Sequence, residues 1–302
     1  MLSLASADSC YGLSRQETAR GGKARLHREY GQSGSTLFEY LISANPNAVA
    51  CGEIANGFSA YSSKEAKLTC SCGELRKNCP VWSAFNKISD RSWTHEALVM
   101  TLLHHIEPRY TLMSDSSKTA WGTITAPLRL RRKLGQHLFL LHVVRDPRAV
   151  CWSAVRLAKL RKTRHKKTAW RKIRQINKQI ASTPTLRCLR TALGWWIANL
   201  SCELFGWFFP GQYLRSHYED FSRSPRTELC KLFALVSSDY DWQLTEIGIS
   251  NNRHQLYGNR MRRQRLLFSD VRPDVRWKSE MPRGYRQLVG ALTWPLRAKY
   301  RY

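Results

Sequence analysis

Two short stretches carry residue types suited to gripping an anion from different sides. Gly31-Gln-Ser-Gly-Ser-Thr36 is a glycine-serine turn that runs into Leu37, Phe38, Leu41 and Ile42 at helical spacing. Glycines let backbone N–H groups converge, hydroxyls add donors, and a helix start adds positive potential, so Ser33, Gly34, Ser35 and Thr36 are candidate anion contacts. An ordinary Gly/Ser loop would read the same way. The nucleoside-triphosphate version, Gly-x4-Gly-Lys-Ser/Thr, is absent, because Ser35 follows Gly34 where lysine would stand. The second stretch is Arg145-Asp-Pro-Arg-Ala-Val-Cys-Trp-Ser153. Asp146 suits a helix N-cap and Pro147 a first helical residue, while Asp146, Ala149, Val150 and Ser153 follow i, i+3, i+4, i+7 spacing. Arg145 and Ser153 would then grip one phosphate from two sides, the arginine as a bidentate fork. A capped helix with surface arginines is the plainer alternative.

A base and a cation complete the candidates. Glu53 follows the short apolar run from Ala48 to Cys51 and is the candidate general base; a solvent-facing carboxylate at a strand end is its alternative. Lys118, in Asp115-Ser-Ser-Lys118, stands near enough to a strand end to reach a reacting group, unless Asp115 merely caps a helix. His104 and His105 are rival bases of lower weight, since a histidine pair on a helical stretch is more often surface or filler.

These residues need a frame that brings them to one edge. Val/Leu-rich runs separated by helical patterns predict an α/β fold with a parallel sheet flanked by helices. His137 to Val144 (HLFLLHVV) is the clearest strand, nearly all apolar as a strand buried on both faces requires. Ala48–Cys51, Thr111–Ser114 and Tyr213–Tyr218 are further strands, with helices near 189–208 and from Pro225 to about Val236. In such sheets ligands bind beyond the carboxyl ends of the strands, and Glu53, Asp115 and Arg145 each follow an apolar run. The 302 residues are 43% apolar and 24% charged, which excludes a disordered tail, a collagen and a membrane bundle. No apolar window is long enough to span a membrane, and no secretory signal is expected. Forty-nine Lys and Arg against 22 Asp and Glu leave +27, with 11 basic residues in 156–178, so the chain should attract polyanions.

The two anion grips on one sheet edge make the chain resemble the sulfotransferases that use 3′-phosphoadenosine-5′-phosphosulfate (PAPS), especially bacterial-type, carbohydrate and tyrosyl-protein members. Gly31–Leu37 looks like their 5′-phosphosulfate loop, and Arg145 with Ser153 like their 3′-phosphate grip. Asn45-Pro46 through Cys51-Gly-Glu53, Cys70-Ser-Cys-Gly with Cys79-Pro-Val-Trp82, Asp115-Ser-Ser-Lys118, Tyr218-Glu-Asp220 with Pro225, and His254-x3-Gly258-Asn259-x2-Arg262 follow in the same order. The resemblance spans roughly residues 31–263. It implies a P-loop nucleoside-triphosphate-hydrolase-like fold and transfer of a sulfonate from PAPS to a hydroxyl acceptor: a glycan, a lipid-linked sugar or a similar metabolite, acidic ones included, with peptide tyrosine second. It implies catalytic roles for Glu53 and Lys118, and cofactor contacts from Gln32, Ser33, Gly34, Ser35, Thr36, Arg145, Ser153, Gly258, Asn259 and Arg262. No metal and no specific nucleic acid are expected. Nine cysteines, an odd and mostly scattered count, favour a reducing compartment, so the expected location is cytoplasmic, with a peripheral place at a membrane face as a variant.

Two departures stand out. The family's loop carries Arg or Lys just before Ser-Gly, where this chain has Gln32, so a reduced rate or a substitute cation (Lys118, or an arginine from 260–263) is expected. Residues 24–30, Ala-Arg-Leu-His-Arg-Glu-Tyr, put charges in the strand that should feed the loop. That predicts an edge strand, or a first thirty residues that form a loose arm or are not the domain's authentic start, with the sulfotransferase domain at 31–302. Cys70, Cys72 and Cys79 lack a clear fourth zinc ligand, because Cys51 and the histidines are remote in sequence; free thiols or a local disulfide fit better. The rival functions are a basic nucleic-acid-binding protein, an inactive relative that binds PAPS or its product without transfer, and a nucleotide kinase, the last disfavoured by the missing lysine.

Overall fold

The computed structural model describes residues 24–28, 33–56, 68–86, 94–117, 124–164, 183–236, 252–256 and 271–302. Five parallel strands form its centre: β1 (Ala24–Arg28), β2 (Ala48–Ala50), β3 (Leu112–Ser114), β4 (Leu138–Val144) and β5 (Tyr213–His217), in the order β2-β3-β1-β4-β5. All four expected strands appear, as β2, β3, β4 and β5. β1 does not lie at an edge: it pairs with β3 on one side and β4 on the other, Ala24 beside Leu112 and Arg28 beside His142. The expected arm therefore meets the sheet at Ala24, six residues earlier than its proposed end at residue 30. Backbone pairing on both sides, and the need for a strand to lead into the 31–36 turn, outweigh the polar composition of the segment.

Helices cover both faces. α1 (Ser35–Ile42) stops at Ser43 just before Asn45-Pro46, as the Pro requires. α2 (His95–His105), α3 (Ala126–Leu134), α4 (Pro147–Arg164), α5 (Pro184–Phe208), α6 (Tyr218–Arg223) and α7 (Pro225–Leu235) follow, then α8 (Trp277–Glu280), α9 (Arg283–Leu292) and α10 (Trp294–Lys299). α5 starts earlier than the expected 189 because Thr183 caps it: its hydroxyl accepts from the Leu186 N–H at 3.3 Å, and Pro184 takes the first helical position.

Alternation along β4 divides the core. Leu138 and Leu140 pack with Met113, Leu98, Leu102, Trp82 and Phe205 under α2, α3 and α5. Leu141 and Val143 pack on the other face with Leu37, Phe38, Leu41, Phe221, Leu229 and Phe233 of α1, α6 and α7, where Phe38 stacks on Phe221. β4 is buried on both faces. Its one polar residue, His142, is enclosed and satisfied: Nδ1 meets the Tyr213 hydroxyl at 2.7 Å and Nε2 meets Asn199 Oδ1 at 2.8 Å. Burial pushes the His142 pKa down to about 4, against the Asn199 hydrogen bond. Among the described residues, no helix is long and apolar enough to cross a membrane.

Candidate functional site

The carboxyl edge of the sheet gathers most of the described candidates. Gly34 precedes α1 with φ 109°, in the region that favours glycine. A Cβ on Gly34 would stand 2.5 Å from Tyr218 Cδ2 and 2.9 Å from Cε2, so the residue is fixed both by backbone and by space. Ser33 and Ser35 on either side are buried, and Thr36 is half-buried on the first turn of α1.

Tyr218, the first residue of α6 after β5, is the hinge of the arrangement. One part of its ring closes on Gly34, and the Arg145 guanidinium lies 4.3 Å from the ring centroid in a cation–π contact. Its hydroxyl accepts from the Asp274 N–H at 3.2 Å. The glycine-serine turn after β1 and the arginine after β4 are thus joined through a single aromatic side chain. The sequence marked Tyr218 only as part of a motif; its position at a strand end, as for Arg145, was the available signal.

Arg145, 6% exposed, donates to the Asp274 carbonyl at 3.2 Å and lies 3.5 Å from the Asp274 carboxylate. Asp146 accepts from the Arg148 N–H at 2.8 Å through its side chain and from Val150 through its carbonyl, the expected cap of α4. Two turns on, Ser153 faces the cavity that Arg145 also lines, together with Trp152, Arg156, Asp274, Arg276 and Trp277. Three guanidiniums against one carboxylate make its wall electropositive. Arg156 also meets Glu280 at 3.3 Å, and Arg276 holds Asp274 in a fork of 2.7 and 2.8 Å. The Arg276 hydrogen bonds, aided by Arg145, hold the Asp274 carboxyl down at about 2 despite its partial burial. The sequence marks Arg156 only as the first of the basic run 156–178, and it does not mark Arg276 or Asp274, since arginines are frequent in this chain and the 271–280 segment has no periodic or motif signal.

Glu53 is half-buried at the end of the β2 segment, on a scaffold built from two enclosed carboxylates. Glu39 lies one turn along α1 from Ser35 and is 1% exposed. It accepts from the Gly52 N–H at 3.1 Å, the Ser114 and Ser116 hydroxyls at 3.1 and 2.8 Å, and the Gln255 amide at 2.6 Å. The peptide just before Glu53 is therefore tied to the helix that begins at the glycine-serine turn. Asp115, fully buried after β3, accepts from the Ile54 N–H at 3.3 Å, from the Ser117 N–H and hydroxyl at 2.9 and 2.5 Å, and faces His95 Nε2 at 2.7 Å. Asp115 thus knits the Glu53 segment to the Ser116-Ser117 segment rather than reaching solvent. Gly52 has φ 74°, and a Cβ there would meet Gln255 Cβ at 3.1 Å. The rival bases His104 and His105 end α2 and are exposed. Gln32, Lys118, Gly258, Asn259 and Arg262 lie outside the described residues.

One expectation is corrected. The cysteine trio does have a fourth neighbour of ligand type: His254 closes on Cys70, Cys72 and Cys79, with the four ligand atoms within 4.8 Å of one another. Sequence distance hid it, since Cys79 and His254 are 175 residues apart and meet only because residues 252–256 run beside β2. Arg253 bridges to Ala50 in parallel, the Ala50 N–H donates to the Asn252 carbonyl at 2.9 Å, and the His254 N–H to the Ala50 carbonyl at 2.7 Å.

Comparison with solved structures gives the fold its family likeness. The chain is similar to the sulfotransferase domain of the Synechococcus PCC 7002 olefin synthase, with TM-score 0.54 and 16% identity over 96% of this chain and 99% of that one. It is also similar to the sulfotransferase domain from the curacin biosynthetic pathway, with TM-score 0.53 and 16% identity over 90% of this chain and 98% of that one. The architecture is thus the α/β sulfotransferase fold, at full domain length. No family model matches the sequence, and no curated protein does either.

Proposed function

We propose that the protein is a PAPS-dependent sulfotransferase that moves a sulfonate to a hydroxyl acceptor. The observation that carries this reading is the Tyr218 link, which sets the Gly34 turn and Arg145 side by side at one sheet edge, with Ser153 on the same cavity wall. A doubly phosphorylated adenosine has two anionic ends, and the site has two anion grips. In this reading the N–H groups and hydroxyls of Ser33 to Thr36 at the start of α1 hold the 5′-phosphosulfate, while Arg145 and Ser153 hold the 3′-phosphate. Gly258, Asn259 and Arg262 add to the 3′ side.

The reaction is an in-line displacement at sulfur. The acceptor oxygen forms a bond to sulfur, the bond from sulfur to the 5′-phosphate oxygen breaks, and Glu53 takes the acceptor proton. The leaving phosphate gains charge, so donors at the start of α1 and a cation lower the barrier. With Gln32 in the loop that cation falls to Lys118 or to an arginine of 260–263. The same glutamine favours a second reading, a relative that binds the nucleotide without transferring sulfonate.

The acceptor proposed is a hydroxyl on a glycan, a lipid-linked sugar or a similar metabolite, and the +27 charge suits an acidic one. The test is an acceptor screen with radiolabelled PAPS on wild type and Glu53→Gln. Label transfer by wild type that falls at least about a hundredfold in Glu53→Gln, with nucleotide affinity kept, is the expected result; general-base removal costs about 10²–10⁴. Wild-type rates in the variant would remove Glu53 from the mechanism, and tight nucleotide binding without transfer to any acceptor would select the second reading.

A further inference from the structure

We propose that Cys70, Cys72, Cys79 and His254 form a structural zinc site that fastens the 68–86 loop to the 252–256 segment at the β2 edge of the sheet. The donor set is three sulfurs and one imidazole, a combination that selects zinc among common divalent ions and fills a tetrahedron. Cys79 Sγ lies 3.6 Å from Cys70 Sγ and 3.2 Å from His254 Nδ1. A tetrahedral zinc with bonds of about 2.3 Å to sulfur and about 2.0–2.1 Å to nitrogen separates its ligand atoms by roughly 3.5–3.8 Å. A disulfide would bring the two sulfurs to about 2.05 Å. The Cys70–Cys79 separation falls in that range, the Cys79–His254 separation is about 0.3 Å below it, all four ligand atoms lie within 4.8 Å of one another, and all three cysteines are free.

The surrounding backbone is shaped for the same purpose. Thr69 pairs with Leu75 in an antiparallel bridge, the Cys70 N–H donates to the Glu74 carbonyl at 2.8 Å, and the Gly73 N–H returns to the Cys70 carbonyl at 3.0 Å. Gly73, with φ 97°, turns this tight knuckle so that Cys70 and Cys72 project to one side. The Ser71 hydroxyl donates to the Arg253 carbonyl at 2.8 Å and accepts from the Gln255 N–H at 2.8 Å, gripping the residues on either side of His254. Trp82 Nε1 donates to the His254 carbonyl at 2.6 Å. Backbone hydrogen bonds thus hold Cys70 and His254 in place outside the centre.

Four protein ligands leave no open position, so the site is structural and takes no part in sulfonate transfer. Its leverage on the proposed reaction is positional. His254 hydrogen-bonds to Ala50 and Gln255 to Glu39, so the zinc fixes the segment against which Gly52 and Glu53 are set. Cysteine binding releases its protons to solvent as the thiolates form, which makes metal uptake pH-dependent.

The experiment measures metal in the full chain purified without chelator from zinc-supplied cells, by elemental mass spectrometry, and then the absorption of the cobalt-substituted protein. The expected result is about one zinc per chain, with the intense visible bands of tetrahedral cobalt thiolate. Cys79→Ser and His254→Ala should lose the metal, Cys202→Ser should keep it, and His254→Cys should keep it through a four-sulfur site. The His254→Cys and wild-type cobalt spectra decide the matter even if the loss variants fail to fold. Wild type without metal or cobalt bands, a Cys70–Cys79 disulfide in peptide mapping, or metal that persists in both Cys79→Ser and His254→Ala would overturn the proposal.

Discussion

Gly34→Ala probes the junction on which the site rests. Two penalties apply. A non-glycine residue at φ 109° leaves its allowed regions, at about 1–2 kcal/mol. The added methyl would lie 2.5 Å from Tyr218 Cδ2, and overpacking of that kind costs about 1–3 kcal/mol. Together they come to roughly 2–5 kcal/mol, at roughly 2–4 °C of Tm per kcal/mol in a chain of this size. The assay is a double-mutant cycle with Tyr218→Ala by thermal and denaturant unfolding. Removing the ring should return the clash component in the Gly34→Ala background but leave the backbone component, giving a coupling of about 1–3 kcal/mol. Gly34→Ala within about 0.5 kcal/mol of wild type, or strict additivity of the two changes, would show that the Tyr218 ring does not close on Gly34.

Two further outcomes are expected. Ser153→Ala should weaken binding of adenosine 3′,5′-bisphosphate by about 1.5–3 kcal/mol, the worth of a hydrogen bond to a charged group, while leaving adenosine 5′-phosphate binding unchanged; equal losses for both ligands by calorimetry would contradict the 3′ assignment. His142 is neutral in the folded state down to about pH 4, whereas in the unfolded chain it takes a proton near its ordinary 6.5. Stability should therefore be full above pH 6.5 and fall by about 3 kcal/mol as the pH drops from 6.5 to 4; His142→Gln should flatten that slope in urea unfolding, and an unchanged slope would count against it.

Much of the fold was readable because parallel strands are apolar runs. Ala48–Ala50, Leu112–Ser114 and Leu138–Val144 stand out by composition, and Asp146-Pro147 announces α4. The edge placement offered for residues 24–30 fails because the rule links central position to apolar side chains, while what fixes β1 is pairing to β3 and β4. The places of Arg145 after a strand, Ser153 on the following helix and Gly34 in the turn before α1 were legible from spacing and turn chemistry. Tyr218 and the Cys–His cluster were not, because each is a contact between chain segments far apart in sequence: Tyr218 lies across from Gly34, and His254 comes to Cys79 only through the 252–256 segment beside β2. Periodicity reports which face a residue takes, but not which distant segment it meets. The Glu39 and Asp115 networks were hidden for a related reason: a carboxylate in sequence reads as exposed charge, and only the converging donors of Gly52, Ser114, Ser116, Ser117 and Gln255 make its burial tolerable.

Calorimetric titration of adenosine 3′,5′-bisphosphate into the folded protein, wild type beside Arg145→Ala, tests the two-grip account most directly. Wild type should bind saturably at one to one, and Arg145→Ala should lose about 2–5 kcal/mol, the cost of removing one partner of a buried charge pair. No heat of binding to a wild-type chain whose unfolding is cooperative, or equal affinity in both proteins, would contradict it.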